Sequence, residues 1–569
     1  MNYRSLSIWS LGLLFLFAGT CLVSGQLQFP GKPLGINSQM KAAEAMYVLV
    51  PPDPYEIEAE LELNRRSNSK PLRFALERPV NLSPETHGSW SLVGDVRVWR
   101  IHVLSPGAYS LGLVFGRYAL LPGVKLFVYD PGMQHIKGAF TSENNKASGV
   151  LPVGHLSGEE LVIEMQLPAA LADYGELELK SLSHAFLNTA FKSTGADCPA
   201  GEFGCSQACE IDVNCVEGDL WKRVIPSVVR VYTTTLWCTG VLVNNTSYDG
   251  TPYILTAEHC LNNQSRADVS VFQFNYESAA CFGENGPLDM SISGANIITV
   301  GDSVDFSLIE LSEIPPASFE AFYAGWNRSD FQTSGTVTIH HPFGDVKKIS
   351  MDEQIPSIPA QQGDVPYSGL EDYHYYSYWW IRQWESGSTE GGSSGGPLFD
   401  QARRVIGTLS GGNAACGDSI GYDSETDRVI YNSAPNYDDY FTRFDMAWDY
   451  EEGKGNALKP WLDPINSGEL SLDGYNPSSD ESIKISTGKQ FQVFPNPARE
   501  RFFITSREPL KGQGYYSIIN LSGAQISLGE LDADGRAEVA CSILSPGIYL
   551  VRIGAGSYFE HHKILVTAQ

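Results

Sequence analysis

Gly391-Gly392-Ser393-Ser394-Gly395-Gly396-Pro397 is the stretch on which the reading of this chain turns. A serine set among glycines suits a tight turn whose backbone approaches a bound molecule and aims two N–H groups at one oxygen. Alone, the run serves equally well as a flexible Gly/Ser loop. Upstream, Leu255-Thr256-Ala257-Glu258-His259-Cys260 sets a histidine just after the apolar Tyr253-Ile254-Leu255 and beside a cysteine. Between the two, Asp305 opens Asp305-Phe306-Ser307-Leu308-Ile309-Glu310-Leu311, an apolar strand where a carboxylate is expected to be buried. A buried carboxylate requires partners, and a histidine N–H is a natural one. Singly, a histidine is usually structural and an aspartate usually a solvated charge. In the order His, Asp, Ser on a β-rich framework, they form a constellation suited to nucleophilic catalysis.

Composition bounds the rest. The chain has 569 residues, 43% hydrophobic and 18% charged, which excludes global disorder. At about 150 residues per domain, three or four domains are expected. The 55 Gly, 32 Pro, 27 Tyr and 26 Phe favour strands and turns over helical bundles. With 39 Lys+Arg against 66 Asp+Glu, binding of nucleic acid or anionic lipid through bulk charge is excluded. The acidity is central: Cys198 to Ile465 holds 14 Lys+Arg and 37 Asp+Glu. Such a field attracts cationic substrates, and solubility outside the cell explains it nearly as well.

Arg4, the uncharged Ile8 to Val23 and the small Ser24-Gly25 read as a signal peptide over 1–25. The apolar run is shorter than the roughly 20 residues of a membrane span, and Ala18-Gly19-Thr20 is a poor lipobox for Cys21. No later segment is long and apolar enough to cross a membrane. Of ten cysteines, Cys21 leaves with the signal, and eight lie between Cys198 and Cys416. In an exported protein that number reads as four disulfides. A zinc site from Cys198, Cys205, Cys209 and Cys215 is the rival, but paired CxxC units are missing. No metal or cofactor is expected, and Cys541 is left as a buried thiol.

Four regions follow the signal. Residues 26–197 contain period-two apolar runs such as Val96-Trp99-Ile101-Val103, Tyr109-Leu111-Leu113-Phe115 and Val124-Leu126-Val128, predicting an antiparallel β-sandwich. The cysteine-rich stretch is 198–465. Residues 466–488, rich in Ser, Gly, Asp and Asn, read as a linker. Residues 489–569 form a last small β unit with strands at Gln492-Val493-Phe494 and Ile548-Tyr549-Leu550-Val551.

Thr256-Ala257-x-His259-Cys260, Asp305-Phe306-x-Leu308 and Gly392-x-Ser394-Gly395-Gly396-Pro397 resemble the three signatures of trypsin-like serine peptidases. The resemblance narrows to the bacterial lysyl endopeptidase family through Ala324-Gly325-Trp326-Asn327-Arg328, Ile339-His340-His341-Pro342, Thr389-Glu390-Gly391-Gly392-Ser393-Ser394 and Arg404-Val405-Ile406-Gly407. It implies a chymotrypsin-like double β-barrel and bonds Cys209–Cys416, Cys215–Cys281 and Cys238–Cys260, leaving Cys198–Cys205 as an extra pair. It implies Ser394 as nucleophile, His259 as base, Asp305 as its orienting acid, and the N–H groups of Gly392 and Ser394 as oxyanion hole. Ser410-Gly411-Gly412 would pair with substrate backbone. Asp439, in Asp439-Tyr440-Phe441-Thr442-Arg443, resembles the acid of the family's Asp-x-Tyr-Gly-Arg, which receives the substrate lysine; a surface carboxylate is the alternative.

The chain also departs from these patterns. Ser393 stands where trypsin has the aspartate that binds a freed N-terminus, and no Ile-Val-Gly-Gly start is present, so that activation switch cannot operate. Thr442 replaces a glycine, Ser410 replaces a histidine, and Asp418 to Asn436 is an insertion. His340-His341 reads as structural, because adjacent strand residues face opposite ways. Tyr373 to Trp384 reads as an aromatic core or pocket wall, with one Trp able to line the pocket, and His561-His562 as a solvated pair. Residues 26–197 resemble the propeptides of such peptidases, with Lys192 as a self-processing point; a retained binding module is the rival. The tail, with Val493-Phe494-Pro495-Asn496-Pro497 and Pro546-Gly547-Ile548-Tyr549, resembles type IX secretion sorting domains of Bacteroidetes. The expectation is a secreted or cell-surface serine endopeptidase that cleaves protein or peptide substrates after Lys (or Lys/Arg), is exported by type IX machinery and is monomeric. The alternatives are a peptidase of other specificity and an inactive binding or adhesion protein on the same scaffold.

Overall fold

A computed structural model describes residues 29–35, 45–66, 71–187, 206–281, 283, 286–329, 333–361, 374–423, 428–434, 437–451, 455–477, 491–506, 510, 514–520, 525–555 and 558–567. The expected signal peptide, Lys192 and the Cys198–Cys205 pair lie outside them. The chain divides into two compact units, 1–478 and 479–569.

The alternating runs near the N-terminus do form strands. One sheet orders Met46–Val48, Val96–Leu104, Glu160–Pro168, Lys125–Tyr129 and Ile136–Phe140, with Ser89–Val93 on Val96–Leu104. The other orders Ala75–Leu82, Gly175–Ala185, Ser110–Leu120 and Leu151–Ser157. Apolar side chains from both, among them Ile101, Val103, Leu111, Leu113, Phe115, Leu126 and Ile163, fill one shared core. This is the expected β-sandwich. Arg100 and Glu164, directly opposite on paired strands, meet at 2.8 Å inside it. Tyr129 also donates to Glu164, so the buried charges are held by hydrogen bonds as burial demands.

The cysteine-rich region builds two further sheets. The first runs Ser291–Ser293, Val271–Gln273, Val228–Tyr232, Leu236–Val243, Tyr253–Thr256, Phe306–Leu311, Ala295–Gly301. The second runs Ile211–Asp212, Lys348–Asp352, Thr336–His340, Pro397–Phe399, Val405–Gly412, Trp326–Asn327, Ser471–Leu472, with Asp439–Arg443 on Val405–Gly412 and Tyr378–Ile381 on Asp439–Arg443. Val241, Val243, Leu255 and Leu308 of the first sheet share a core with Val337, Ile339, Ile349, Phe399 and Val405 of the second. The architecture is mainly β, with the chymotrypsin-like double β-barrel at its centre. Disulfides Cys209–Cys416, Cys215–Cys281 and Cys238–Cys260 are all formed. The insertion after Cys416 is a two-stranded hairpin, Cys416–Asp423 with Arg428–Ser433.

One expectation is corrected here. Residues 466–477 are not a spacer: Ser471–Leu472 pairs antiparallel with Trp326–Asn327, and Tyr475 exchanges two backbone hydrogen bonds with Tyr323. Asp473 also binds Arg404 at 2.7 Å. A short edge strand needs few apolar residues, because backbone pairing supplies the contact, so composition concealed it.

The second unit is a small β-sandwich. Phe491–Phe494, Arg501–Ser506 and Arg536–Ala540 form one sheet; Gln525–Glu530, Gly514–Asn520, Gly547–Ala555 and Tyr558–Val566 form the other. Phe491, Phe502, Ile504, Ile518, Val551, Ile553 and Ile564 close its core. Cys541 is a buried free thiol, its pKa raised by burial. His562, expected in solvent, is buried, because its strand turns that position inward beside Val551.

Candidate active site

Three separate chain segments converge where the two barrels meet. His259 follows the strand Tyr253–Thr256, and the next residue, Cys260, is tied to Cys238 of Leu236–Val243. Asp305 precedes the strand Phe306–Leu311, which pairs antiparallel with Tyr253–Thr256, Thr256 lying opposite Ser307. The pairing therefore brings the residue after one strand against the residue before the other.

Asp305 is fully buried, and its carboxylate is engaged by His259 alone among the described hydrogen bonds. Nδ1 lies 3.0 Å from each carboxylate oxygen, and the His259 backbone N–H donates to Oδ1 at 3.1 Å. Asp305 adopts a left-handed conformation, φ 56°, which aims the side chain back at the histidine rather than along the strand. The hydroxyl of Thr442 binds the carbonyls of Val304 and, at 3.2 Å, Asp305, and lies 2.8 Å from Ser410 Oγ. Glu258, beside this pair, has its pKa raised by burial and by the Asp305 charge.

Ser394 is held by its backbone. Thr239 N–H donates to its carbonyl at 2.7 Å, Gly395 N–H to Leu409 O at 2.8 Å, and Thr239 Oγ1 to Gly392 O at 2.9 Å. Gly392 and Gly395 have φ of 96° and 78°. A Cβ on Gly395 would come within 2.4 Å of Thr239 O, so no other residue fits there. Among the described residues, Ser394 Oγ and His259 Nε2 are buried without a hydrogen-bond partner. Cys260 Sγ, next to His259, lies 3.8 Å from the Ser394 carbonyl. The N–H groups of Gly392 and Ser394 likewise donate to no described group.

Ser393 binds His340 instead of a charged terminus. His340 Nδ1 lies 2.7 Å from Ser393 Oγ, which also accepts the Glu390 N–H at 3.1 Å. His341 bonds the Asp345 carbonyl at 2.9 Å, so the two histidines have separate, structural partners. Desolvation holds the His341 pKa well below its usual value.

Asp439 is buried, not a surface carboxylate. Its Oδ2 accepts Trp384 Nε1 and Thr389 Oγ1, both at 2.7 Å. Strand pairing sets Asp439 opposite Gly412, at the end of the Ser410-Gly411-Gly412 segment. Of the aromatic run, Trp379 donates to Ile406 O and Trp380 to Asp438; Trp384 alone of these tryptophans reaches Asp439. Sequence reasoning gave no role to Thr239, Thr389 or the hydroxyl of Thr442; Thr389 carried a signal as the first residue of its quoted motif, and Thr442 as the odd residue in its own. Cys238, His259 and Cys260 lie within 4.8 Å of one another, but the two sulfurs are bonded together and offer no thiolate to a metal.

Parts of the chain match known families and proteins. Residues 203–427 match the family model described as Lysyl endopeptidase, C-terminal domain, and residues 492–567 that of the Secretion system C-terminal sorting domain. Both resemblances read from the motifs are thereby borne out, and the sorting domain makes this a secreted or cell-surface protein. A lysyl endopeptidase of Pseudomonas aeruginosa is 30% identical over 283 residues, 46% of this chain and 57% of that protein. Solved structures that match include Rv3671c from M. tuberculosis in its inactive form, with 16% identity, 41% of this chain, 88% of that one and a TM-score of 0.24. A Glu endopeptidase in complex with MPD matches with 16% identity, 37% of this chain, 85% of that one and a TM-score of 0.23.

Proposed function

We propose that this chain is a secreted serine endopeptidase that cleaves protein and peptide substrates after Lys (or Lys/Arg). The observation that carries the reading is the buried Asp305–His259 pair, with both carboxylate oxygens at 3.0 Å from Nδ1 and the far nitrogen left for the neighbouring Ser394. Ser394 Oγ attacks the scissile carbonyl and passes its proton to His259 Nε2. His259, made cationic, is stabilised by Asp305 and returns the proton to the leaving amine. The N–H groups of Gly392 and Ser394 receive the oxyanion, where each donor is worth about 3 kcal/mol. Water then hydrolyses the acyl-enzyme by the same relay.

Asp439 receives the basic side chain. Trp384 and Thr389 are neutral donors, so they fix the carboxylate without cancelling its charge, and a buried negative charge repels an acidic substrate residue. Ser410, Gly411 and Gly412 offer backbone to the substrate as a short antiparallel strand. Residues 26–197 act as the prodomain of the enzyme 198–465, and the sorting domain engages type IX secretion machinery. The protein acts as a monomer.

The test is to digest a peptide library with the protein and with Ser394→Ala. Cleavage confined to the protein and to bonds after basic residues is expected. Cleavage retained by Ser394→Ala overturns the mechanism, and cleavage after other residues overturns the pocket.

A further inference from the structure

The N-terminal sandwich does more than lie beside the barrels. Leu72–Arg73 adds a strand to the first barrel sheet, antiparallel to Leu236–Trp237, with Leu72 opposite Trp237 and Arg73 opposite Leu236. That edge belongs to the strand whose Thr239 N–H holds the Ser394 carbonyl. Leu72 reaches the serine loop itself: a Cβ on Gly391 would lie 3.3 Å from its Cδ1. Gly391 immediately precedes Gly392, one of the two proposed oxyanion donors.

The direction of the strand matters as much as its place. In an antiparallel pair, the chain that moves from Arg73 to Leu72 to Pro71 advances along its partner from Leu236 to Trp237 to Cys238, toward Thr239 and the serine. Peptide substrates commonly bind by adding an extended strand to an exposed sheet edge. A substrate whose leaving-group half ran from Ser394 along this edge would take the same orientation. In sequence, Pro71 follows Lys70 (outside the described residues), so the segment reads as a substrate of the proposed class with a prolyl tertiary amide in place of the cleavable secondary amide.

The strand is also clamped from its outer side. Asn64, on the helix Pro54–Arg66, donates to Arg73 O at 2.7 Å and accepts Arg73 N–H at 2.9 Å. Phe74 N–H donates to Thr235 O, and the Phe74 ring packs 4.9 Å from Trp237. Leu72, Phe74 and Ala185 of the sandwich form one apolar cluster with Tyr232, Trp237 and Val271 of the barrel.

We propose that Leu72–Arg73 is a tethered competitor, which fills the leaving-group side of the active site in the full-length chain and which longer substrates must displace. The proposal rests on the peptidase reading above. A tethered competitor raises KM and leaves kcat unchanged, and a segment docked about nine-tenths of the time raises KM about tenfold.

The test uses the full-length chain, checked by mass to be intact, with Leu72→Asp and Asn64→Ala. Two substrates are compared: an acyl-lysine methyl ester, whose leaving group is methanol, and a lysine peptide extending four residues beyond the cleaved bond. Leu72→Asp is expected to raise kcat/KM for the peptide about tenfold through KM, with the ester changed less than about twofold. Asn64→Ala, at a half-buried position, should give a smaller change of the same kind in a chain that folds. If neither variant separates the peptide from the ester, the proposal is overturned. Labelling of Ser394 by a fluorophosphonate tells the two readings apart. A labelled chain with an unmoved ratio defeats the competitor alone; a chain that never labels defeats the peptidase reading and this inference with it.

Discussion

Replacing Asp305 with Asn tests the relay at the point where the structure is most explicit. The His259 backbone N–H donates to Asp305 Oδ1, and Nδ1 contacts both oxygens. An amide has one acceptor oxygen, and the backbone N–H can only donate, so the oxygen stays at the Oδ1 position. The NH₂ group then faces His259 Nδ1 and forces that nitrogen to accept. The proton moves to Nε2, and the imidazole can no longer take the proton of Ser394. The variant keeps the shape, the burial and the backbone hydrogen bond, so it should fold. Wrong-tautomer replacements of this kind cost about 10⁴-fold in kcat, about 5.4 kcal/mol. The assay is steady-state hydrolysis of a lysine ester and a lysine peptide across pH, with thermal unfolding as control. A loss below about tenfold at neutral pH, in a folded variant, would refute the relay.

Thr442→Val removes the hydroxyl that grips the carbonyls flanking Asp305. It should lower kcat about fivefold with KM unchanged, one hydrogen bond being worth about 1 kcal/mol, and Thr442→Ser should restore it. Replacing Cys209 and Cys416 together by Ser opens a closed loop with a sequence separation of 207, against 22 for Cys238–Cys260. The longer bridge should cost more stability, about 5.4 kcal/mol by loop-closure entropy, whereas loss of the shorter one, beside His259, should cost more activity. Burial, then Lys137 and Arg230, hold the His155 pKa down to about 3 from 6.5. The folded chain keeps this histidine neutral where the unfolded chain protonates it, so its stabilising share is present above about pH 6.5 and lost as the pH falls toward 3. His155→Asn should flatten that part of the pH dependence of unfolding of the full-length chain; an unaltered profile would contradict the assignment.

What could be read beforehand was chemistry carried in short contiguous motifs. His259, Asp305 and Ser394 each sit beside a strand whose apolar pattern is visible, and strand pairing does the rest. The β-sandwich at the N-terminus was equally legible, because Leu111, Leu113 and Phe115 alternate cleanly into one core. Contacts made through register were not. Thr239 acts through its N–H and hydroxyl on Ser394 O and Gly392 O, and nothing in the neighbouring Trp237-Cys238 announces that. Ser471–Leu472 and Leu72–Arg73 are strands of two residues, too short for any period to show. His562 was read from its neighbour, yet in a strand adjacent residues face opposite ways, so a pair of histidines need not share an environment.

The acidity of the central region needs dividing before it can be used as an argument. Many of its carboxylates are interior: Asp212 binds Lys348, Asp400 accepts Arg404 N–H and Asn327, and Asp463 accepts Thr246, Ser467 and Gly468. Buried acids of this kind fasten loops between strands, where helix dipoles and caps are scarce, and they add little to a field felt by an approaching substrate. The surface charges that remain are screened beyond about 10 Å at 0.1 M salt. Asp439 differs in its place, buried opposite Gly412 at the end of the proposed substrate-pairing segment. A lysine ammonium about 4 Å from it gains about 4 kcal/mol at an effective dielectric of 20, before the cost of desolvating the lysine. Asp439→Asn should therefore lower kcat/KM for lysine substrates by a hundredfold or so, while raising salt from about 0.05 to 0.5 M in the unaltered protein should cost less than tenfold. If salt proved the larger effect, selectivity would rest on the diffuse field and the pocket assignment of Asp439 would fall.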